Sequence, residues 1–460
     1  MKLNTLFSII LITAGTTGCK KFVDVNLPIT QLNTEAAFAT DSKANSSMRG
    51  IYATLTAAFS TTPFTGAMTS NLGISADELA MTSISSTGQP FFENNLAPDN
   101  STNAGVFWGT FYNIIYQANN AYFNLQKATG LSAIGKDRMM GEARFLRAWS
   151  YFFLVNLYDS VPLTLTPNYL ENALLSRTEA TKVYKQIRED LVFAQEKAGD
   201  TYTVTGGRGR ANKWAATALL ARVQLYTKNW ADAEKQAAAV IGSGYYKMDV
   251  PDSSFVASSK EAIMVVANAG ANLYTSESAQ ITGSGVNTTY YFTPYQNNAF
   301  ETGDLRLDKW TKVGTNGNRG PFKYKTYSNT QVGAKKEALP VFRLAEQYLI
   351  RAEARAMQNN LDGAITDLDS VRRRAGIPLI SVTYPTIGKD DLLALIAKER
   401  MTEFFAEFGN RWFDVKRTGQ ADIIFGARKP KWRKEAALFP IPLVDRKTNP
   451  NLGQNPGYEQ

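Results

Sequence analysis

The chain contains no histidine and only one cysteine among its 460 residues. Without histidine it cannot assemble a Ser-His-Asp triad, a His-liganded zinc site or an imidazole general base. Much of hydrolase chemistry is therefore closed to it. A lone cysteine forbids an internal disulfide and any Cys cluster for metal, so no metal site and no cofactor is expected. Long apolar runs are scarce as well: beyond LFSIILITA, residues 6–14, no stretch approaches the roughly 20 apolar residues of a membrane-spanning helix. Charge is not concentrated either. A formal net charge of +9 is mild for this length, and Lys and Arg read as dispersed rather than gathered in runs, which argues against nucleic acid as a partner.

What the sequence does have begins at that single thiol. Lys2, the apolar run and the small residues Gly15, Thr16, Thr17 and Gly18 lead directly to Cys19, the pattern of a secretory signal peptide. The small residues before Cys19 resemble the lipobox of bacterial lipoproteins, with Thr16 where a large aliphatic is usual. The resemblance implies that Cys19 is acylated and becomes the first mature residue; each buried CH₂ of an acyl chain adds ~0.8 kcal/mol of membrane affinity. The alternative is ordinary cleavage that leaves an incidental free thiol. The expected organisation is a signal peptide over 1–18, an anchor and tether over 19–33, and one domain over 34–460.

Within that domain the apolar spacing is mostly helical. A helix-prone stretch runs from Thr34 to Ala58, and loops are expected to dominate from Ser60 to Gly105, which is rich in Ser, Thr, Asn, Gly and Pro. Trp108, Phe111, Ile115 and Asn119 restore the helical period, and Phe145, Trp149, Phe152 and Phe153 follow at i, i+4, i+7 and i+8 until Pro162. This aromatic stripe reads as core. Two helix pairs come next, one joined at Lys228 and Asn229 and one carrying Val341, Ala345, Tyr348, Leu349 and Ala352 on its first stripe, closed by Gly376 and Pro378. Both look like tetratricopeptide-type hairpins, which stack because one hairpin cannot bury both apolar faces alone. Between them, about 251–340, EAIMVVAN and PFKYKTYS have short strand character. Loop-rich insertions at about 60–105 and 251–340 on a mostly α scaffold are where binding is expected.

One helix invites a catalytic reading. After Asp390 or Asp391 as a cap, Glu399, Glu403 and Glu407 fall at i, i+4 and i+8. Three aligned carboxylates could hold a cation or supply the acid and nucleophile of a glycosidase. The competing reading is an ion network, because Arg400, Arg411, Lys416 and Arg417 share the segment and Arg144 and Arg147 sit in a helix that could face it.

Taken together, CKKFVDVNLP, EARFLRAWSYFFLVNLYDSVPL, NKWAATALLARVQLY, ERMTEFFAEFGNRWFDVKRTG and LFPIPLVDRKTNPNLGQNPGY resemble, in order, the blocks of the SusD/RagB family of Bacteroidota outer-membrane lipoproteins. The resemblance implies a SusD-like, mostly α fold of tetratricopeptide-like hairpins. It also implies a non-enzymatic protein anchored to the outer membrane, facing the exterior, that passes oligosaccharide or peptide to a SusC-like TonB-dependent transporter. Lys20 and Lys21 follow the anchor where acidic residues often favour surface export, which leaves the membrane face open. Matching positions are Cys19; Glu142, Arg144, Arg147 and Ala148; Glu399, Arg400, Glu403, Glu407, Arg411, Trp412, Asp414 and Arg417; and Pro440, Ile441, Pro442, Asn455, Pro456 and Tyr458. The family's sugar pockets imply aromatic plates with amide or charged neighbours in the two insertions. Candidates are Phe91, Phe92, Asn94 and Asn95 in the first, and Tyr290, Tyr291, Tyr295, Trp310 and Tyr324 in the second. Asp304 and Arg306 match a family element expected to be a local salt bridge. A glycan-active enzyme using Glu399 or Glu403, and a tetratricopeptide-type protein adaptor, remain the alternatives.

Overall fold

The computed structural model describes residues 34–56, 62–83, 85–203, 207–268, 270–282 and 289–458. Cys19 and the expected signal peptide and tether lie outside the described residues. The scaffold is a run of helices: α1 (Asp41–Leu55), α2 (Ala67–Ser75), α3 (Thr110–Lys127), α4 (Ala133–Tyr158), α5 (Ala180–Lys197), α6 (Lys213–Tyr226) and α7 (Trp230–Ile241). After the insertion come α8 (Leu344–Met357), α9 (Leu361–Ala375), α10 (Lys389–Glu403), α11 (Asn410–Arg417) and α12 (Ala421–Arg428). The stacked order from α3 to α9 is unbroken, because α7 packs directly on α8 and the residues between them loop out.

Local sequence accounts for the hairpins. Lys228, in the left-handed region at φ 59°, turns the chain between α6 and α7, while Gly376 at φ 74° ends α9 as a left-handed cap. Close helix approach depends on small residues. A Cβ on Gly141 of α4 would meet the Ala198 backbone nitrogen at 2.8 Å, so only glycine lets α4 and α5 come together there. Phe145, Trp149, Phe152 and Phe153 are all buried in one core cluster that extends from Phe38 to Leu452.

Two expectations about elements fail. The stretch 60–105 is not chiefly loop: it contains α2, buried at every position but Asn71, which has no polar face and so carries no amphipathic period. Conversely PFKYKTYS, for all its alternation, forms no strand beyond Pro321. Its backbone is held by a side chain instead, with the Lys325 and Thr326 amides donating to Glu337 Oε1 at 2.5 and 3.0 Å. Val341 belongs to a strand rather than to the α8 stripe.

The strands are few and short: β1 (Leu79–Met81), β2 (Ala262–Val266), β3 (Tyr290–Phe292), β4 (Thr311–Val313), β5 (Arg319–Pro321) and β6 (Leu339–Arg343). They form three antiparallel pairs, β1 with β3, β2 with β6, and β4 with β5. The β2–β6 pair, Val266 opposite Leu339, is the neck of the insertion and brings its two ends back to the scaffold. Pro340 is tolerated there because a two-stranded sheet leaves every strand an edge. The C-terminal segment straps the helices: Asn103 Nδ2 donates to the Pro440 carbonyl at 2.8 Å, and Asn455 Nδ2 donates to the Tyr158 and Phe439 carbonyls at 3.1 and 2.8 Å. No helix among the described residues is long and apolar enough to cross a membrane.

Candidate functional site

The two insertions meet. Residues 79–81 pair with 290–292, setting Ala80 opposite Tyr291 and Met81 opposite Tyr290, and β5 packs alongside β3. The Thr293 amide donates to the Glu78 carbonyl at 3.1 Å and its hydroxyl donates to the Asp77 carbonyl, so the turn carrying Tyr295 is fixed to the first insertion. A third segment closes the patch. The Arg428 guanidinium stacks on the Tyr295 ring at 4.1 Å, Lys429 sits 4.7 Å from the Phe92 ring centre, and Lys431 pairs with Glu93 at 2.9 Å.

The buried carboxylate of Asp77 organises this corner. Burial pushes its pKa up, but Arg411 at 2.7 Å and Arg428, which pairs with the other oxygen, outweigh that and hold it below the usual carboxylate range. Arg428 is thereby aimed at Tyr295. Tyr295 is 44% exposed, Asn95 is exposed, and Phe92 and Tyr291 are half-buried, whereas Tyr290, which alternates with Tyr291 along β3, packs against the core. Rings beside cations and amides offer stacking faces and directional hydrogen bonds together.

The remaining candidates are core. Phe91 packs edge-on against Phe107 and Phe439 at 6.0 and 5.8 Å. Asn94 donates to the Ser75 carbonyl at 3.0 Å. Trp310 is wholly buried, with Nε1 donating to the Pro251 carbonyl at 2.7 Å, and Tyr324 lies under Phe255 at 5.3 Å. Their loops contribute to a face; these side chains anchor it from beneath.

The expectation of dispersed basic residues fails at 428–434, RKPKWRK, where five of seven residues are basic. That run was the signal for the third segment of the patch.

The glutamate row is neither one helix nor a solvent-facing trio. Helix α10 stops at Glu403, and Ala406 and Phe408 adopt positive φ of 50° and 47°, so Glu407 stands on a tight turn. The partners are not the arginines of the same segment. Glu399 pairs with Arg306 at 2.6 Å and Arg372 at 3.1 Å; Glu403 with Arg343 at 2.7 Å, Arg306 at 3.0 Å and Arg374; Glu407 with Lys323 at 2.5 Å and Arg343 at 2.8 Å. Arg147 instead holds Asp190 at 2.6 Å, Arg144 approaches the same carboxylate, Arg400 and Arg417 grip Asp414, and Lys416 donates to the Asn156 carbonyl. Gly388 rather than an aspartate caps α10, with Asp390 and Asp391 in its first turn, favourable to the helix dipole. Trp412 stacks on Phe425 in the core. The Asp304–Arg306 pair, 2.8 Å, is as expected, and its guanidinium continues into the glutamate network. Burial alone would raise Glu403, but the surrounding guanidiniums hold it well below the usual range, the wrong direction for a general acid. Among the described residues no group of three or more His, Cys, Asp or Glu stands where it could hold a metal ion.

Three other buried carboxyls are shifted the opposite way. Burial pushes Glu277 up to about 8 and Glu78 and Glu337 to about 7. Glu277 Oε1 has no hydrogen-bond partner. Between the ordinary value near 4.5 and these raised values the native chain binds more protons than the unfolded one, so stability falls as pH rises. Glu277→Gln is expected to flatten the decline in unfolding free energy between about pH 5 and pH 8, an effect on the order of a few kcal/mol. Denaturation curves of both proteins across that window check this; parallel declines would sink it.

A stacked helical scaffold whose looped-out insertion meets a second loop beside aromatic and cationic side chains defines a protein of helical-repeat class with a candidate binding surface. The chain belongs to the SusD family: that family's model matches residues 223–458, and a model described as starch-binding associating with outer membrane matches 21–225. SusD-like protein P2 of Formosa agariphila is 26% identical, with 99% of this chain and 100% of that protein covered. SusD-like protein P25 of the same organism is 32% identical, but the match spans 27% of this chain and only 23% of that protein. The starch-binding protein SusD of Bacteroides thetaiotaomicron is 28% identical over 64% of this chain and 53% of its own length. Among solved structures, a SusD superfamily protein from Bacteroides vulgatus superposes with a TM-score of 0.77 at 20% identity, covering 91% of this chain and 99% of that one. A laminarin binding SusD-like protein reaches 0.75 at 24% identity with the same coverage. At such identities the likeness establishes the fold.

Proposed function

We propose that the chain is a glycan-capturing lipoprotein of the outer membrane, held by acylated Cys19 and facing the exterior, that delivers oligosaccharide to a SusC-like TonB-dependent transporter without chemically altering it. Family membership and the names of relatives that bind starch or laminarin support the glycan class. The observation that carries the reading is that Phe92 of the first insertion and Tyr295 of the second lie against the successive cations Lys429 and Arg428, where the two insertions pair. Sugar C–H faces stack on such rings, and neighbouring charged and amide groups satisfy the hydroxyls. Glycosidase chemistry is disfavoured, because Glu399 and Glu403 are buried among arginines and leave no room for a scissile bond between them.

Titration calorimetry of the chain against a panel of oligosaccharides tests the reading. Tyr295→Ala is expected to weaken the cognate glycan about tenfold, the order of one stacked ring, while the melting temperature stays unchanged. Binding of no glycan in the panel, or turnover of one, would overturn it.

A further inference from the structure

The second insertion contains a charge pattern that the aromatic face does not use. From Leu305 to Lys336 there are eight basic residues and one acidic residue, Asp308. Arg306 and Lys323 turn inward and are neutralised by buried carboxylates. The other six remain accessible to solvent.

Three of them gather at one place. A cleft of about 320 Å³ opens between residues 251–256 and 323–337, at the small end of ligand pockets, ~300–1,000 Å³. At its rim the Asp252 carboxylate faces Lys325 at 2.6 Å and Lys309 at 3.9 Å, with Lys335 adding to the same field. Lys309 is shared with Asp308 at 2.8 Å. Among the described residues Lys335 has no carboxylate within ion-pairing distance, so the rim carries an unbalanced positive charge. The inner wall offers the opposite: Glu337 is 4% exposed, its Oε1 accepts the two backbone amides named above, and its Oε2 has no hydrogen-bond partner.

A buried acceptor without a donor and an ammonium without a carboxylate, in one small cleft, ask for a ligand with both an O–H and an acidic group. A bare sulfate ion would satisfy the lysines but bring no hydroxyl to Glu337 Oε2. A neutral sugar would satisfy Glu337 and leave the lysines unused. We infer that this cleft binds an acidic sugar unit, its carboxylate or sulfate at Lys325 and Lys335 and one hydroxyl on Glu337 Oε2. This inference rests on the glycan-capture reading above and narrows it to acidic oligosaccharides.

The experiment uses the full-length chain in neutral detergent, with alginate oligomers, sulfated galactan oligomers, laminarin oligomers and malto-oligosaccharides as calorimetric probes. One of the two acidic series is expected to bind at least about tenfold more tightly than either neutral one. That preference should shrink as NaCl is raised to about 0.5 M, since exposed charges are then screened within a few ångströms. The double variant Lys325→Gln, Lys335→Gln is expected to abolish the preference, and Glu337→Gln, which puts a donor where the acceptor was, to weaken the acidic ligand with Lys325 and Lys335 intact. Lys185→Gln, on the exposed face of α5, serves as the control that leaves binding unchanged. Equal affinity for neutral glucans, or an acidic preference that survives the double variant, overturns the inference while glycan capture stands. Binding of neither class overturns both.

Discussion

Arg343→Met is expected to lower the unfolding free energy by about 3–5 kcal/mol, the cost of removing one partner from a buried ion pair. All five guanidinium N–H groups are engaged. They reach Glu261 at 2.7 Å, Glu403 at 2.7 Å through its carboxylate and 3.2 Å through its carbonyl, and Glu407 at 3.0 and 2.8 Å. Methionine matches much of the stem but supplies no charge, so three buried carboxylates keep only Arg306, Arg374 and Lys323 as counterions. The loss is structural and not confined to one spot, because Arg343 ends β6 at the neck of the insertion while Glu403 ends α10. Chemical denaturation of the purified chain is the measurement. A change below about 1 kcal/mol, the scale of an exposed pair, would show that the network is not what holds the insertion to the scaffold.

Trp310→Ala is expected to cost a similar amount, about 3–5 kcal/mol, the range for truncating a buried large aromatic. The indole lies at the centre of the insertion's core, 5.3 Å from Phe255 and beneath the cationic ends of Lys323 and Arg374, each 4.8 Å from its ring centre. Truncation removes those contacts and leaves the Pro251 carbonyl only the longer Ser254 amide, at 3.4 Å. Trp310→Phe keeps most of the ring and separates structure from binding: it should fold, lose roughly 1 kcal/mol for the missing hydrogen bond, and bind glycan as the unaltered chain does. Should the phenylalanine variant fold normally and lose glycan affinity about tenfold, Trp310 would belong to the binding face after all.

These two expectations show where a linear reading succeeds and where it stops. The hairpins α6–α7 and α8–α9 were legible because the amphipathic spacing of α7, α8 and α9 and the glycine cap at Gly376 are signals within a few positions of one another. Helix α2 was not, since an element buried on all sides has no polar face to mark its period. The glutamates were correctly legible as an ion network, yet with the wrong partners. Arg400 and Arg417 are near in sequence, but Arg306 and Arg343 are nearer in space.

The candidate site divides in the same way. Phe92, Asn95, Tyr290, Tyr291 and Tyr295 stand at the surface or partly so, whereas Phe91, Asn94, Trp310 and Tyr324, indistinguishable from them by residue type and region, support it from within. The composition of a loop does not say which way each ring points.

By itself the sequence determined the helical-repeat class, the family blocks and the exclusion of histidine and disulfide chemistry, because these depend on residue identity and on spacing within one or two turns of chain. Only the tertiary structure decided which cations neutralise which carboxylates and which aromatic rings face outward. The reason is distance along the chain: Arg428 meets Asp77 across 351 positions and Glu407 meets Arg343 across 64, and no local period encodes a contact of that span.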